Sequence, residues 1–229
     1  MYKLTGVTKT YSKRGGTVFA MRDVDLSIAD GEWLAIQGRT GSGKTTLLQL
    51  LGAMHRPNRG VVSLGGQNLA RMPEARLASV RAATIGFVFQ TFNLIPTLSA
   101  QENVEAALVP RQLADARRQA RALAALDSVG LADRAHHLPT ELSGGQQQRV
   151  GIARALVKDP KVLLADEPTG NLDTDTRDEI MSLLQTLWRE RGLTVVLVTH
   201  DSAVARRAQR IATMKDGYLS VALTPEDRG

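Results

Sequence analysis

At 229 residues, with 43% hydrophobic and 23% charged side chains, the chain has a globular composition and enough length to bury a sizeable core, as one large domain or two joined subdomains. No apolar run approaches the roughly eighteen residues of a membrane span, no apolar core follows the early cations as a secretory signal requires, and the lack of cysteine excludes disulfides and thiolate metal sites. A net charge of +6 suits polyphosphate ligands, anionic headgroups or nucleic acid, but only 4% of residues are aromatic, so stacking platforms for single strands are scarce. The arginines of "DARRQARALAAL" (115–126) read as a solvated helix face rather than a nucleic-acid footprint. The chain is therefore expected to stay in the cytosol and not to insert into a membrane by itself.

In chain order, "YKLTGVTKTY", "VDLSI" and "EWLAIQG" read as strands, with an Asp30-Gly31 turn joining the last two. From Lys44 to about Met54 apolar residues recur at helical spacing. "GVVSLGG" (60–66) and "IGFVFQ" (85–90) read as further strands, and Pro73 opens a helix through about Ala82. From Ser99 to about Ala155 the pattern is almost wholly helical, with breaks expected at Pro110, Gly130 and Pro139. "KVLLADE" and "TVVLVTHD" are short continuous apolar runs of the kind found in parallel strands covered on both faces, separated by a helix over 174–191. An Asp216-Gly217 turn between two strands makes a hairpin of the tail from Ile211 to Ser220. The sum is an α/β core with a helical arm.

Two helix tips in this chain look built for anions. Gly38, Gly43, Lys44 and Thr45 fit G-x-x-x-x-G-K-[ST] between a predicted strand and a predicted helix. Glycines there let backbone N–H groups face phosphate oxygens, Lys44 reaches the outer phosphates, and Thr45 offers a hydroxyl to Mg²⁺. The second tip is "ELSGGQQQRVGIARAL" (141–156), where small residues lead into an apolar-periodic run. At the end of "VLLADE", Asp166 is placed to hold a metal shell and Glu167 to act as general base toward water. His200, closing "TVVLVTH", is the third candidate, as a partner for a γ-phosphate. His55, His136 and His137 have no comparable setting.

The phosphate loop, Gln90 after an apolar strand, "LSGGQ" (142–146), "VLLADE", "GNLD" (170–173) and His200 come in the order and spacing of ATP-binding cassette ATPases, which the chain resembles from about Tyr2 to Ser220. Within that family, "FVFQTFNLIPTLSAQENV" and "DEPTGNLD" are similar to the group serving macrolide export, lipoprotein release and cell division, of MacB, LolD and FtsE type. The resemblance implies a RecA-like P-loop NTPase core over about 1–90 and 158–229. It further implies an N-terminal antiparallel β subdomain and a helical subdomain over about 91–157, all within one cassette of residues 1–229.

It also implies roles. Gly38, Gly41, Ser42, Gly43, Lys44, Thr45 and Thr46 would bind ATP phosphates, with Tyr11 stacked on adenine. Thr45, Gln90 and Asp166 would hold Mg²⁺; Glu167, His200 and Gln90 would be catalytic. Ser143, Gly144, Gly145 and Gln146 of one copy would face the nucleotide of a second copy packed head to tail, with Asp173 crossing the seam. Each composite site of such a homodimer would use one tip of each kind. An integral membrane permease is the expected partner, docking near Gln90 to Ile95 with Phe92, Leu94 and Ile95 as its groove or, equally, as core. No nucleic-acid partner is expected. The chain is then expected at the cytoplasmic face of the inner membrane, driving export or force transmission, with solute import as the alternative.

Overall fold

The computed structural model describes residues 1–13 and 16–221. In chain order the elements are β1 (Tyr2–Lys13), β2 (Gly16–Ile28), β3 (Trp33–Gln37), α1 (Lys44–Leu51), β4 (Arg59–Leu64), β5 (Gln67–Asn68), α2 (Glu74–Thr84) and β6 (Ile85–Phe89). They continue with α3 (Ala100–Glu105), α4 (Asp115–Asp127), α5 (Gly144–Leu156), β7 (Val162–Asp166), α6 (Thr174–Arg191), β8 (Thr194–Thr199), α7 (Ser202–Ala205), β9 (Arg210–Lys215) and β10 (Tyr218–Val221). The chain forms two compact units: Met1–Ser79 with the stretch from Thr194 onward, and Val80–Leu193.

The first unit holds two sheets. One is antiparallel, in the order β2-β1-β4-β5. In the other, β10, β9, β3 and β8 lie side by side, with β3 parallel to both β8 and β9 and β10 closing antiparallel on β9. Every residue of β8 and the first four of β3 are buried, which is why these segments read as unbroken apolar runs. The Asp30-Gly31 turn does join β2 to β3, but the two strands enter different sheets. The tail hairpin forms as read, because Asp216 and Gly217 both take positive φ, 51° and 84°, the geometry of a two-residue hairpin turn. Where the phosphate-loop helix is read to Met54, α1 stops at Leu51: the Gly52 amide closes onto Leu48 and the backbone turns at Ala53, φ 54°. Inside this unit the phenol of Tyr2 is buried and donates to the Leu51 carbonyl at 2.8 Å, tying β1 to the end of α1; burial pushes its pKa up.

The second unit pairs β6 with β7 in parallel; α5 packs on β6 and in turn carries α3, α4 and α6 against it. Pro110 does not break the arm where the sequence suggests. It lies inside a 3₁₀ turn (Ala106–Arg111), and the chain leaves that turn at Gln112, φ 50°. Gly130 does mark a break, at φ 72°, and Pro139 starts a short 3₁₀ turn. The arginines of α4 are not simply solvated. Arg118 pairs with Glu105 at 3.1 Å and Asp115 at 2.9 Å, and Arg121 reaches the Val157 carbonyl at 2.9 Å and the Asp159 carboxylate. Lys158 is half-buried with its amine on the Arg81 carbonyl at 2.8 Å; burial, and secondly the Arg111 charge, pull its pKa from the ordinary 10.5 to about 8.

Two outcomes follow from these packed polar groups. Tyr2→Phe strands the Leu51 carbonyl and should cost about 1–2 kcal/mol in urea unfolding with an unchanged m-value. For Lys158 the folded state sheds its proton first, so the unfolded chain binds more protons between pH 8 and 10.5, and stability rises with pH across that window. Lys158→Met should abolish this part of the rise, as read from denaturation midpoints taken across the same range.

Candidate active site

Each unit assembles one part of the predicted residue set. In the first, β3 ends at Gln37 opposite Thr199 of β8, and the Gly38 amide donates to the Thr199 carbonyl at 3.3 Å. The phosphate loop therefore begins beside the strand end that His200 follows, and His200 itself is exposed. At Gly38 and Gly43 the loop is pressed against neighbours that leave no room for a side chain. A Cβ on Gly38 would sit 2.3 Å from the Met214 carbonyl oxygen, and one on Gly43, at φ 111°, would sit 2.2 Å from that of Ala20. Gly43 is also the N-cap of α1, so no cap side chain competes for the first-turn N–H groups.

Lys44 is buried, 7% exposed, and its Nζ donates to the carbonyls of Gly38 at 2.8 Å and Arg39 at 3.2 Å, folding the side chain back over its own loop. Ser42 Oγ is buried and has no hydrogen-bond partner among the described residues. An orphaned hydroxyl, a cationic amine and a helix tip with a glycine cap converge here, and phosphate oxygens fit all three. Gly41, Thr45 and Thr46 complete the loop and the first turn of α1.

Tyr11 lies in β1 opposite Val18, half-buried, with its ring edge-on to His55 at 6.4 Å and the Lys9 amine 5.3 Å from its centroid. His55 thus has a setting that sequence alone did not suggest. A cavity of about 370 Å³ on the antiparallel sheet, between Thr8, Phe19, Arg22 and Arg59, contains none of the predicted residues.

In the second unit Phe89 of β6 lies opposite Asp166 of β7, so Gln90 and Glu167 leave neighbouring strand ends on the same side. Gln90 is locked there by a reciprocal pair: its Nε2 donates to Asn171 Oδ1 and Asn171 Nδ2 donates back to the Gln90 carbonyl, both at 3.1 Å. Glu167 has φ 46°, a left-handed conformation that few residues with a Cβ adopt, and its carbonyl accepts the Gly170 amide at 3.0 Å.

The tip of α5 is capped by its own sequence. Ser143 Oγ accepts the Gln146 amide at 3.2 Å and Gln146 Oε1 accepts the Ser143 amide at 2.9 Å, a capping box legible in the spacing S-x-x-Q. Gly144 is half-buried beside Leu172, and Gly145 is buried against α6, where a Cβ would come within 2.5 Å of Thr176 Cγ2. Asp173 caps α6, its two oxygens accepting the amide and hydroxyl of that same Thr176 at 3.0 and 2.7 Å. Those bonds, the backbone one first, hold the Asp173 carboxyl below its usual range. Thr176 therefore joins the α5 tip to the Asp173 turn.

Sequence reading missed four working residues here: Asn171, Thr176, Gln148 and Arg154. Gln148 is fully buried and donates to the Pro168 carbonyl at 2.5 Å. Arg154 donates to the carbonyls of Phe92 and Asn93, whose φ values are 61° and 50°. The sequence signal for Gln148 was a polar residue on the apolar stripe of α5; Arg154, six positions on and on another face, left none.

The strand and helix arrangement is that of an α/β P-loop NTPase. The family described as ABC transporter matches residues 21–170. The ATP-binding protein YknY of Bacillus subtilis, named as an uncharacterised ABC transporter component, is 46% identical over 96% of this chain and 95% of its own length. The macrolide export ATP-binding/permease protein MacB of Escherichia coli is 50% identical over 96% of this chain, which spans only 34% of MacB. The solved dimer of the ATP-binding cassette MJ0796 of Methanocaldococcus jannaschii, in a post-hydrolysis state with ADP and Pi, superposes with a TM-score of 0.89 at 43% identity, covering 98% of this chain and 100% of that one. This chain belongs to the ABC transporter family, as an ATP-binding cassette and an ATPase.

The contact between Gly145 and Thr176 generates a paired test. Gly145→Ala forces a methyl onto the Thr176 methyl and should lower both the thermal midpoint and ATP turnover. Thr176→Ser removes that methyl while keeping the hydroxyl on Asp173, so adding it to Gly145→Ala should restore both; additive losses in the double variant would show the contact is not the cause.

Proposed function

We propose that the chain is the ATP-hydrolysing subunit of a membrane complex, acting as a head-to-tail homodimer that powers export or transmembrane force transmission. The observation that carries this reading is the pair of phosphate-seeking helix tips, α1 behind Gly43 and α5 behind Ser143, one in each compact unit. One tip binds its own chain's nucleotide and the other serves a second copy. Support comes from the MJ0796 dimer, from the likeness to MacB and from the Ser42 and Lys44 cradle. On this reading the cassette spans residues 1–229, with a catalytic core of about 1–90 and 158–229 and a helical subdomain of about 91–157.

Residue roles follow from chemistry. The N–H groups of 38–46 and the Lys44 amine bind the β- and γ-phosphates, and Tyr11 stacks on the adenine. The hydroxyl of Thr45, the carboxylate of Asp166 and the amide oxygen of Gln90 are hard oxygen donors of the type Mg²⁺ takes. Bound there, Mg²⁺ would neutralise charge on the phosphate oxygens. Glu167 orients and deprotonates the attacking water, and His200 donates to the γ-phosphate. Ser143, Gly144, Gly145, Gln146 and Asp173 address the nucleotide of the second copy.

Because the γ-phosphate is then a contact in both halves, the closed dimer is stabilised by ATP and loosened by hydrolysis, and this difference in affinity is the source of work. Phe92, Leu94 and Ile95, the last 45% exposed, present an apolar face next to Gln90 where a helix of a permease would dock. Through that partner the chain would sit at the cytoplasmic face of the inner membrane. Among the described residues no helix is long and apolar enough to cross a membrane.

Glu167→Gln should keep ATP binding, lower turnover by about 10²-fold or more, and migrate as a dimer with magnesium ATP in light scattering. Turnover near the wild-type value, with the membrane partner present, would remove Glu167 from the role of base.

A further inference from the structure

Gln148 lies in the middle of α5, 0% exposed, and the two ends of its amide are used unequally. Nε2 donates to the Pro168 carbonyl at 2.5 Å, while Oε1 has no hydrogen-bond partner among the described residues. A buried amide oxygen left unsatisfied is costly, and a methionine of similar volume would avoid that cost. What the glutamine supplies that methionine cannot is the donor on Pro168.

Pro168 is the residue after Glu167, whose left-handed φ of 46° is a conformation that relaxes unless its surroundings hold it. Two bonds hold it. The Gly170 amide takes the Glu167 carbonyl from within the loop at 3.0 Å, and Gln148 takes the next carbonyl from α5.

We propose that Gln148 is a positioning residue for Glu167: its amide, anchored in α5, pins the Pro168 carbonyl and so holds Glu167 in the left-handed turn from which the carboxylate addresses water. This rests on the reading of Glu167 as the base. The same helix begins at Ser143, five positions earlier, and a helix rises about 1.5 Å per residue, so tip and clamp ride on one short rigid rod. Movement of the tip on meeting a second copy's nucleotide is thereby movement of the clamp on the base loop of its own chain.

The test uses the full chain with two variants. Gln148→Met keeps the volume and removes the donor. Its kcat should fall about tenfold to a hundredfold with the KM for ATP unmoved, and the Gly170 amide should exchange faster with deuterium in nucleotide-free protein while the amides inside α5 keep their rates. Gln148→Glu offers a donor only while its carboxyl is protonated. Its turnover relative to wild type at each pH should therefore be near full at low pH and decline as pH rises, because ionisation removes the proton held toward Pro168.

Wild-type turnover in Gln148→Met, unchanged Gly170 exchange, or a pH-independent ratio for Gln148→Glu would each overturn the clamp. If Gln148→Met does not fold, the pH ratio of Gln148→Glu decides alone. In a Glu167→Gln background, Gln148→Met should add no further loss of turnover yet still speed Gly170 exchange. Near-normal turnover of Glu167→Gln by itself would sink the base assignment, and Gly170 exchange would still report on the clamp.

Discussion

The chain leaves both strands of the second unit through left-handed residues that are not glycine: Phe92 and Asn93 after β6, and Glu167 after β7. Each such residue costs on the order of 1–3 kcal/mol, so it persists only where hydrogen bonds over-determine it. α5 supplies those bonds in both places. Arg154 donates to the Phe92 and Asn93 carbonyls and Gln148 to that of Pro168. From the charged Arg154 such bonds contribute about 1.5–3 kcal/mol each, enough to offset the strain after β6, while the neutral Gln148 amide contributes about 0.5–1.5 kcal/mol toward that at Glu167. The guanidinium is largely desolvated in doing so, and burial pulls its pKa below the ordinary value. One helix thus braces the backbone of the loops after β6 and β7, while Asn171 holds the Gln90 amide itself.

The two anion-seeking tips are built differently, and the difference bears on order of events. Behind Gly43, α1 has no side chain to cap it, and the loop in front of it holds an orphaned hydroxyl and a lysine folded onto carbonyls. A polyphosphate arriving there satisfies groups that the protein does not satisfy in this way by itself. Behind Ser143, α5 is already closed by the Ser143 and Gln146 box, and Thr176 locks it to the Asp173 turn. A phosphate reaching this tip gains less, because it competes with a cap that is in place. On the proposed reading, nucleotide binds the α1 tip first, and the α5 tip adds its contribution only when a second copy brings it against a nucleotide already bound.

Charge in the helical unit is used locally. Arg111, Arg118, Arg121 and Arg154 each reach a carbonyl or a carboxylate within the unit, so these guanidinium groups are tied to the protein's own oxygens and brace the helical unit. Lys158, its pKa pulled down first by burial and secondly by the Arg111 charge, shows the cost of packing a cation into this unit.

Sequence by itself determined the elements whose pattern is local: the apolar strands β3, β7 and β8, the full extent of α6, the tail hairpin, and the loop from Gly38 to Lys44. Burial on both faces, a 3.6-residue period and a positive-φ turn each leave a mark within a few neighbouring residues. It also supplied the capping box at Ser143, although that signal was read as a phosphate tip and not as a cap. Only the tertiary structure decided that Gln148 and Arg154 brace strand ends 20 and 61–62 residues away, that Asn171 locks Gln90, and that Thr176 is what Gly145 makes room for. The Gln148, Arg154 and Asn171 contacts join residues far apart in the chain through side-chain donors and backbone carbonyls. A carbonyl is common to every residue, so no choice of residue type at the receiving end records that it is needed.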